Sequence, residues 1–212
     1  MLKGKFVVLS LIAAALLCWQ VTGNVETASS GIVNPCSSTA SSASACYLVC
    51  PQGDGDRLDA VGATISVTVR DNLGAPIPNI VASDFWLIGW NDALALCGGS
   101  GSINADSASA ADGTTTISGD LAAGGCDDGF QVVVQGVIIA DPNDWTQALC
   151  LAIVVRSPDL NADLVVDILD FSAFGDFYNT DPAGDPCSDF NCDGVIDLLD
   201  FAAFGNHYLH FC

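Results

Sequence analysis

Residues 159–171 read DLNADLVVDILDF, and residues 189–201 read DFNCDGVIDLLDF. In the first stretch Asp159, Asn161, Asp163, Asp167 and Asp170 occupy positions 1, 3, 5, 9 and 12 of a twelve-residue frame. Asp189, Asn191, Asp193, Asp197 and Asp200 repeat the set in the second, and Val165 and Val195 stand at position 7. These are the offsets at which an EF-hand-type loop wraps oxygen ligands around calcium, position 7 through its backbone carbonyl and position 9 often through water. Two carboxylates held ~5 Å apart repel by roughly 3 kcal/mol at an effective dielectric near 20. Closing such a loop therefore calls for a cation, and two Ca²⁺ sites are expected. Leu164 stands at position 6, where the second loop has Gly194. A left-handed backbone there costs a non-glycine residue roughly 1–2 kcal/mol, so the first site is expected to be the weaker.

A helix is expected after each loop. Phe171, Phe174 and Tyr178 follow the first and Phe201, Phe204 and Tyr208 the second, at offsets that share one helical face. That face reads as core. Ser157-Pro158 precedes the first loop and DPAGDPCS the second, and prolines so placed discourage an entering helix. Each unit is then half an EF-hand, a loop with its exiting helix only. Two such units, each too small to bury its aromatic face alone, are expected to pack together.

The doubled pattern D-x-N-x-D-x-x-[VI]-D-x-x-D-F over residues 158–212 resembles the dockerin family, calcium-dependent modules that anchor secreted bacterial proteins to cohesin domains. The resemblance implies calcium ligands at the ten acidic and amide positions named above. It also implies a partner surface at loop positions 10 and 11, here Ile168, Leu169, Leu198 and Leu199. These four are wholly aliphatic, which suits burial against a neighbouring domain as well as it suits a partner. Almost no linker separates the strand expected to end near Val155 from Asp159.

From about residue 60 to 157 the texture changes to short β-rich runs separated by Gly, Asp, Asn and Pro: ATISVTVR, DFWLIGW, TTTIS, FQVVVQGVII and ALCLAIVV. Runs of this length and spacing predict a sandwich or barrel. Ile65, Val67, Val69, Val132, Val134, Leu151 and Ile153 are the expected inner faces. VTVRDNLGAPIPNI, with DGTTTIS about forty residues later, resembles the bacterial immunoglobulin-like domains of surface adhesins. The expected fold is thus a mainly β immunoglobulin-like sandwich over 51–157, followed by a small α dockerin-like domain over 158–212. Residues 24–50, which include SSTASSASA, read as an extended segment tied down by cysteines.

Residues 1–23, basic and then apolar, read as a secretory signal rather than a membrane span, with cleavage expected before Asn24. Without it, three arginines face 25 acids, 24 of them Asp. Nucleic acid is excluded on this balance, because binding it rests on cations that neutralise phosphates. Asp excess over Glu points to loops and cations. Nine cysteines remain, scattered along the chain without a CxxC pair, and there are only two histidines. Export makes disulfides the expectation, one cysteine is left over, and a zinc site is argued against.

The sum is a secreted, non-enzymatic calcium-binding protein of extracellular or cell-surface assembly. Its partner is expected to be a cohesin-like domain or another copy of itself, and no membrane span remains in the mature chain. One alternative is a carbohydrate-binding module that stacks a glycan on Trp86 and Trp90, although burial in the sandwich is the readier reading of both. Another is a self-assembling fibre or coat subunit, with Ile168, Leu169, Leu198 and Leu199 meeting another copy or the chain's own sandwich. Asp54, Asp56 and Asp59 in GDGDRLD read as a solvated turn before they read as a third cation site. His207 and His210 have no nucleophile at readable spacing, so a hydrolytic triad has no support.

Overall fold

The computed structural model describes residues 31–98, 103–139, 151–181 and 184–212. The expected signal segment, 1–23, lies outside them. The described chain is mainly β, with ten strands and two short helices.

Strands β1 (Thr39–Ser41), β3 (Ile65–Thr68) and β6 (Thr114–Ile117) form one antiparallel sheet in the order β1-β3-β6. Strands β4 (Phe85–Gly89), β8 (Phe130–Val134) and β9 (Val137–Ile139) form a second. Two-stranded pairs join β5 (Leu94–Leu96) to β7 (Ala123–Gly125), and β2 (Ala45–Leu48) to β10 (Ile153–Arg156). The β2–β10 pair is parallel, Ile153 opposite Ala45 and Arg156 opposite Leu48.

One apolar cluster draws on all four sheets, and every expected inner residue is in it: Ile65, Val67, Val69, Val132, Val134, Leu151 and Ile153 are each 3% exposed or less. Alternation is the cause, since a strand sends successive side chains to opposite faces. In β3 Ile65 and Val67 go inward while Ser66 is exposed.

Three expectations change on contact with the structure. Residues 39–48, expected within an extended tether, supply β1 and β2. Tyr47 at the end of that segment is fully buried and donates a hydrogen bond to the Gly119 carbonyl. The small residues of the stretch hid the pairing, because backbone hydrogen bonds need no side-chain signal. FQVVVQGVII, read as one run, is a hairpin: Val134 pairs with Val137 across Gln135-Gly136, both at positive φ (51° and 81°). Positive φ at both central residues is the requirement of the tight hairpin turn whose twist suits a β-ribbon. In β4, Phe85 and Leu87 are buried while Trp86 stays half-buried and Trp90, just past the strand, is 36% exposed. The indoles therefore take the outward face, against the expectation of burial.

The C-terminal part begins directly after β10. Helix α1 (Ile168–Gly175) follows the first loop and helix α2 (Leu198–His207) the second. A single 3-10 turn, Pro186–Ser188, precedes the second loop where an EF-hand would have a helix. A second apolar cluster, Val166, Phe174, Phe190, Ile196 and Phe204, lies between the two units. Phe174 stacks on Phe204 at 5.8 Å and on Phe190 at 5.7 Å. Only these central aromatics are core. Phe171, Phe201, Tyr178 and Tyr208 are each 39–44% exposed, because nothing in the described chain covers the outer side of two such short helices.

Candidate functional site

The two acidic loops match bond for bond. Asp159 accepts the Asp163 amide on Oδ1 (3.2 Å) and the Leu164 amide on Oδ2 (2.8 Å). Asp189 accepts those of Asp193 (3.2 Å) and Gly194 (2.9 Å) in the same way. At position 3, Asn161 and Asn191 each accept the amide two residues on and donate from Nδ2 to the carboxylate of Asp163 or Asp193 at 3.0 Å. Asp163 and Asp193 accept the amides of Val165 and Val195, both at 3.0 Å. At position 12, Asp170 accepts the Asn161 amide and Asp200 those of Phe190 and Asn191, folding each loop back on its start. The backbone at position 6 is left-handed in both, Leu164 at φ 70° and Gly194 at φ 89°.

The acids at positions 9 and 12 also start the helices. Asp167 and Asp197 are N-caps that accept the amides of Leu169 and Leu199 at 2.7 Å. Asp170 and Asp200 reach back to the amides of Asp167 and Asp197 at 2.9 Å. This reciprocal arrangement is a capping box. It ties each loop to the helix that carries Ile168, Leu169, Leu198 and Leu199, and those four side chains are 60–66% exposed. They do not pack on the described strands. Two clefts of about 320 Å³ flank them. One is lined by Phe171, Tyr178, Leu198 and Phe201, the other by their counterparts Phe201, Tyr208, Ile168 and Phe171.

Each loop is braced by the far end of the other unit. Val166 exchanges hydrogen bonds with Leu209 and His210 after α2, and Ile196 does so with Asn179 and Thr180 after α1. The pair is also fastened to the sheets. Disulfides Cys46–Cys192, Cys97–Cys212 and Cys126–Cys187 each join one cysteine of the β region to one of the C-terminal part. Cys36 is disulfide-bonded as well, and the buried Cys50 is a free thiol.

Asp159 is fully buried against β7, where its carbonyl accepts the Gly125 amide at 2.7 Å. A Cβ on Gly124 would land on its carboxylate. We expect Gly124→Ala to push Asp159 out of the first loop at a cost of about 1–3 kcal/mol. Cation binding there would weaken and the second loop would be untouched, as site-resolved NMR of the Leu164 and Gly194 amides would show.

Burial sets the acid-base behaviour. Desolvation, with Asp170 and Asp163 adding repulsion, pushes the Asp159 carboxyl up to about 6. Desolvation likewise raises Asp170 and Asp200. The chain's arginines do not offset these charges: Arg57 pairs with Asp59 and Asp120, Arg156 with Asp128, and Arg70 donates to the Gly74 carbonyl. All loop donors are oxygens, the set a hard divalent cation such as calcium takes.

A second cluster combines residues that the sequence separates. Cys50 Sγ lies 3.4 Å from His210 Nδ1, which lies 3.2 Å from Asp54 Oδ1. His207 Nδ1 is 3.5 Å from the same oxygen and is buried without a hydrogen bond. The acids of GDGDRLD do not converge on one cation: Asp54 faces the histidines, Asp56 accepts the Leu48 amide and Asp59 pairs with Arg57. Cys50 and the histidines carried no spacing signal. The readable clue was the leftover cysteine together with the chain's two histidines placed three apart.

No protein-family model matches the chain, and no curated protein matches it. Among solved structures it is similar to the Lin-41 filamin domain, at 14% identity and a TM-score of 0.28, covering 55% of this chain and 91% of that one. The mainly β assignment rests on the strand pairing and the core described above.

Proposed function

We propose that the chain is a secreted, non-enzymatic docking protein: an immunoglobulin-like sandwich that rigidly carries a dockerin-like pair of calcium loops and presents an apolar face to a protein partner. The observation that carries this reading is the bond-for-bond identity of the two loops, with fully buried carboxylates at positions 1 and 12 of the first and position 12 of the second. Asp159, Asn161, Asp163, Asp167 and Asp170 would hold one ion, with the carbonyl of Val165. Asp189, Asn191, Asp193, Asp197 and Asp200 would hold the other, with that of Val195. The ion supplies the positive charge that lets these carboxylates sit together, and the capping boxes transmit loop closure to both helix starts. Calcium thereby sets the positions of Ile168, Leu169, Leu198 and Leu199.

Direct binding of immobilised cohesin-type domains, with light scattering of the chain alone in parallel, tests this reading. Calcium-dependent binding that Leu198→Asp and Leu169→Asp abolish, at unchanged melting temperature, supports it. Self-association under the same control selects a second copy as the partner. Neither binding nor association in saturating calcium contradicts the proposal.

Proton competition gives the reading a pH signature. The folded Asp159 carboxyl titrates near 6, above the ~3.9 of an unfolded aspartate. Without calcium the folded state thus holds a proton that the unfolded state has lost, and stability falls as pH rises through the window from about 4 to about 6. Calcium removes this dependence, since a bound ion holds the carboxylate ionised in the folded state as it already is in the unfolded one. Thermal melts at several pH values are expected to fall with rising pH in chelator and to stay level in saturating calcium across that window.

The outward Trp86 and Trp90 favour a second reading, in which the β4 face stacks a sugar ring. Glycan binding lost in Trp86→Ala or Trp90→Ala would establish it.

A further inference from the structure

Outside the acidic loops, four side chains of different chemistry meet where the 50–56 turn, the end of α2 and the C-terminal tail come together. Cys50 is the free cysteine among the described residues, and His207 and His210 are both of the chain's histidines. One ligand atom from each of them and from Asp54 falls within a group no wider than 4.8 Å. Cys50 is fully buried, the His207 side chain is 11% exposed and that of His210 22%.

A catalytic relay does not explain this geometry. In a Cys-His-Asp relay the acid orients one ring nitrogen while the other faces the nucleophile. Here Cys50 and Asp54 approach the same Nδ1 of His210, so no proton can pass through the ring from one to the other. Hydrogen bonding alone fits poorly too, because one Nδ1 either carries a proton or accepts one, and His207 Nδ1 is buried without a hydrogen bond, the Asp54 oxygen lying 3.5 Å away. Convergence of sulfur, nitrogen and oxygen on one point is what a cation requires.

The distances suit a small ion. Zinc bonds of about 2.0 Å to nitrogen or oxygen and about 2.3 Å to sulfur put the ligand atoms of a tetrahedral one-sulfur site roughly 3.3–3.5 Å apart. The contacts of 3.2, 3.4 and 3.5 Å are close to such edges. The ligand backbone is also held in place. The Cys50 carbonyl accepts the amides of Gly53 and Ala123, the His210 amide donates to the His207 carbonyl, and the His210 carbonyl accepts the Val166 amide. Thiolate and imidazole select a borderline-soft metal over calcium or magnesium.

We propose that Cys50, Asp54, His207 and His210 form a mononuclear zinc site that clips the C-terminal tail to the β region beside the Cys97–Cys212 disulfide. Binding displaces the thiol proton of Cys50 to solvent, and both imidazoles coordinate as neutral rings. The site is independent of the calcium reading, since none of its ligands belongs to either acidic loop.

The test uses the full chain, stripped of metal and then held in excess calcium so that the acidic loops are occupied. Cobalt(II) is added as a spectroscopic stand-in, followed by zinc. The expected result is one cobalt per chain with the visible bands of a tetrahedral site and a sulfur-to-cobalt charge-transfer band, both erased by zinc. Cys50→Ser is expected to remove the charge-transfer band, and His210→Asn to weaken metal binding at least about tenfold. Zinc is also expected to protect Cys50 of the unaltered chain from alkylation, a readout that stands even where a variant fails to fold. Absence of the sulfur band and of protection, or a band that persists in a folded Cys50→Ser chain, overturns the site. An intense sulfur-to-copper band that zinc cannot displace overturns its assignment to zinc.

Discussion

Chelating calcium is expected to lower the melting temperature of the full chain by about 8–16 °C for each site emptied. The figure follows from linkage: a ligand at ~1,000 times its dissociation constant stabilises the state that binds it by about 4 kcal/mol. In a chain of this length each kcal/mol moves the transition by ~2–4 °C. The structural reason is local. Asp159, Asp170 and Asp200 are fully buried, and the backbone amides that meet them carry partial charges only. Restoring calcium is expected to return the transition, and magnesium to do so incompletely because it resists giving up its water. Differential scanning calorimetry checks the shift, and far-ultraviolet circular dichroism checks that helix and β signals are lost together at the lowered transition. A melting curve indifferent to chelator contradicts the account.

Removing the Cys46–Cys192 bridge is the second large effect. It spans 146 residues, but the other two cross-links between the same parts shorten the loop it effectively closes. Because loop entropy grows only with the logarithm of length, the loss is still roughly 4 kcal/mol. The double variant Cys46→Ala/Cys192→Ala is therefore expected to melt ~8–16 °C lower. The consequence reaches function. Cys192 is position 4 of the second loop, at φ 56°, and its partner lies on β2 beside β10. The bridge fixes the second loop to the same parallel pair from which the first loop departs. A variant that melts within about 2 °C of the parent chain would show that packing, not the cross-link, holds the two parts together.

These cross-links set the chain apart from a module swinging on a flexible tether. Only Ser157 and Pro158 separate β10 from Asp159, and Gly124 gives way to the Asp159 carboxylate. The exposed face of Ile168, Leu169, Leu198 and Leu199 thus has a fixed direction relative to the sheets. A partner bound there is held at a set angle, which suits assembly of defined geometry.

The parts that were legible in the sequence share one property: their signal lies in side chains at short, regular spacing. Acids at fixed offsets announced both loops and the left-handed position 6, and aromatics three and seven residues apart announced the exiting helices. Alternation in ATISVTVR announced the inner face of β3. The parts that were not legible depend on partners far along the chain or on backbone alone. Strand β7 is Ala-Gly-Gly, without an apolar pattern, and it is a strand because β5 pairs with it and Asp159 needs glycine there. The parallel β2–β10 pair joins residues more than a hundred positions apart, so neither partner signals the other. In DFWLIGW the large apolar area of Trp86 and Trp90 favoured an inward face for the indoles, and the tertiary structure put Phe85 and Leu87 inside instead. The Cys50–His210 contact spans 160 residues, beyond the reach of any spacing rule.

The central claim is that the paired loops of residues 159–170 and 189–200 are two calcium sites. Calorimetric titration of calcium into the metal-stripped full chain tests it most directly. The account predicts two ions per chain, the weaker lost in Asp159→Ala and the tighter in Asp189→Ala. A titration with no heat of binding, and no calcium retained by the protein after gel filtration, would contradict it.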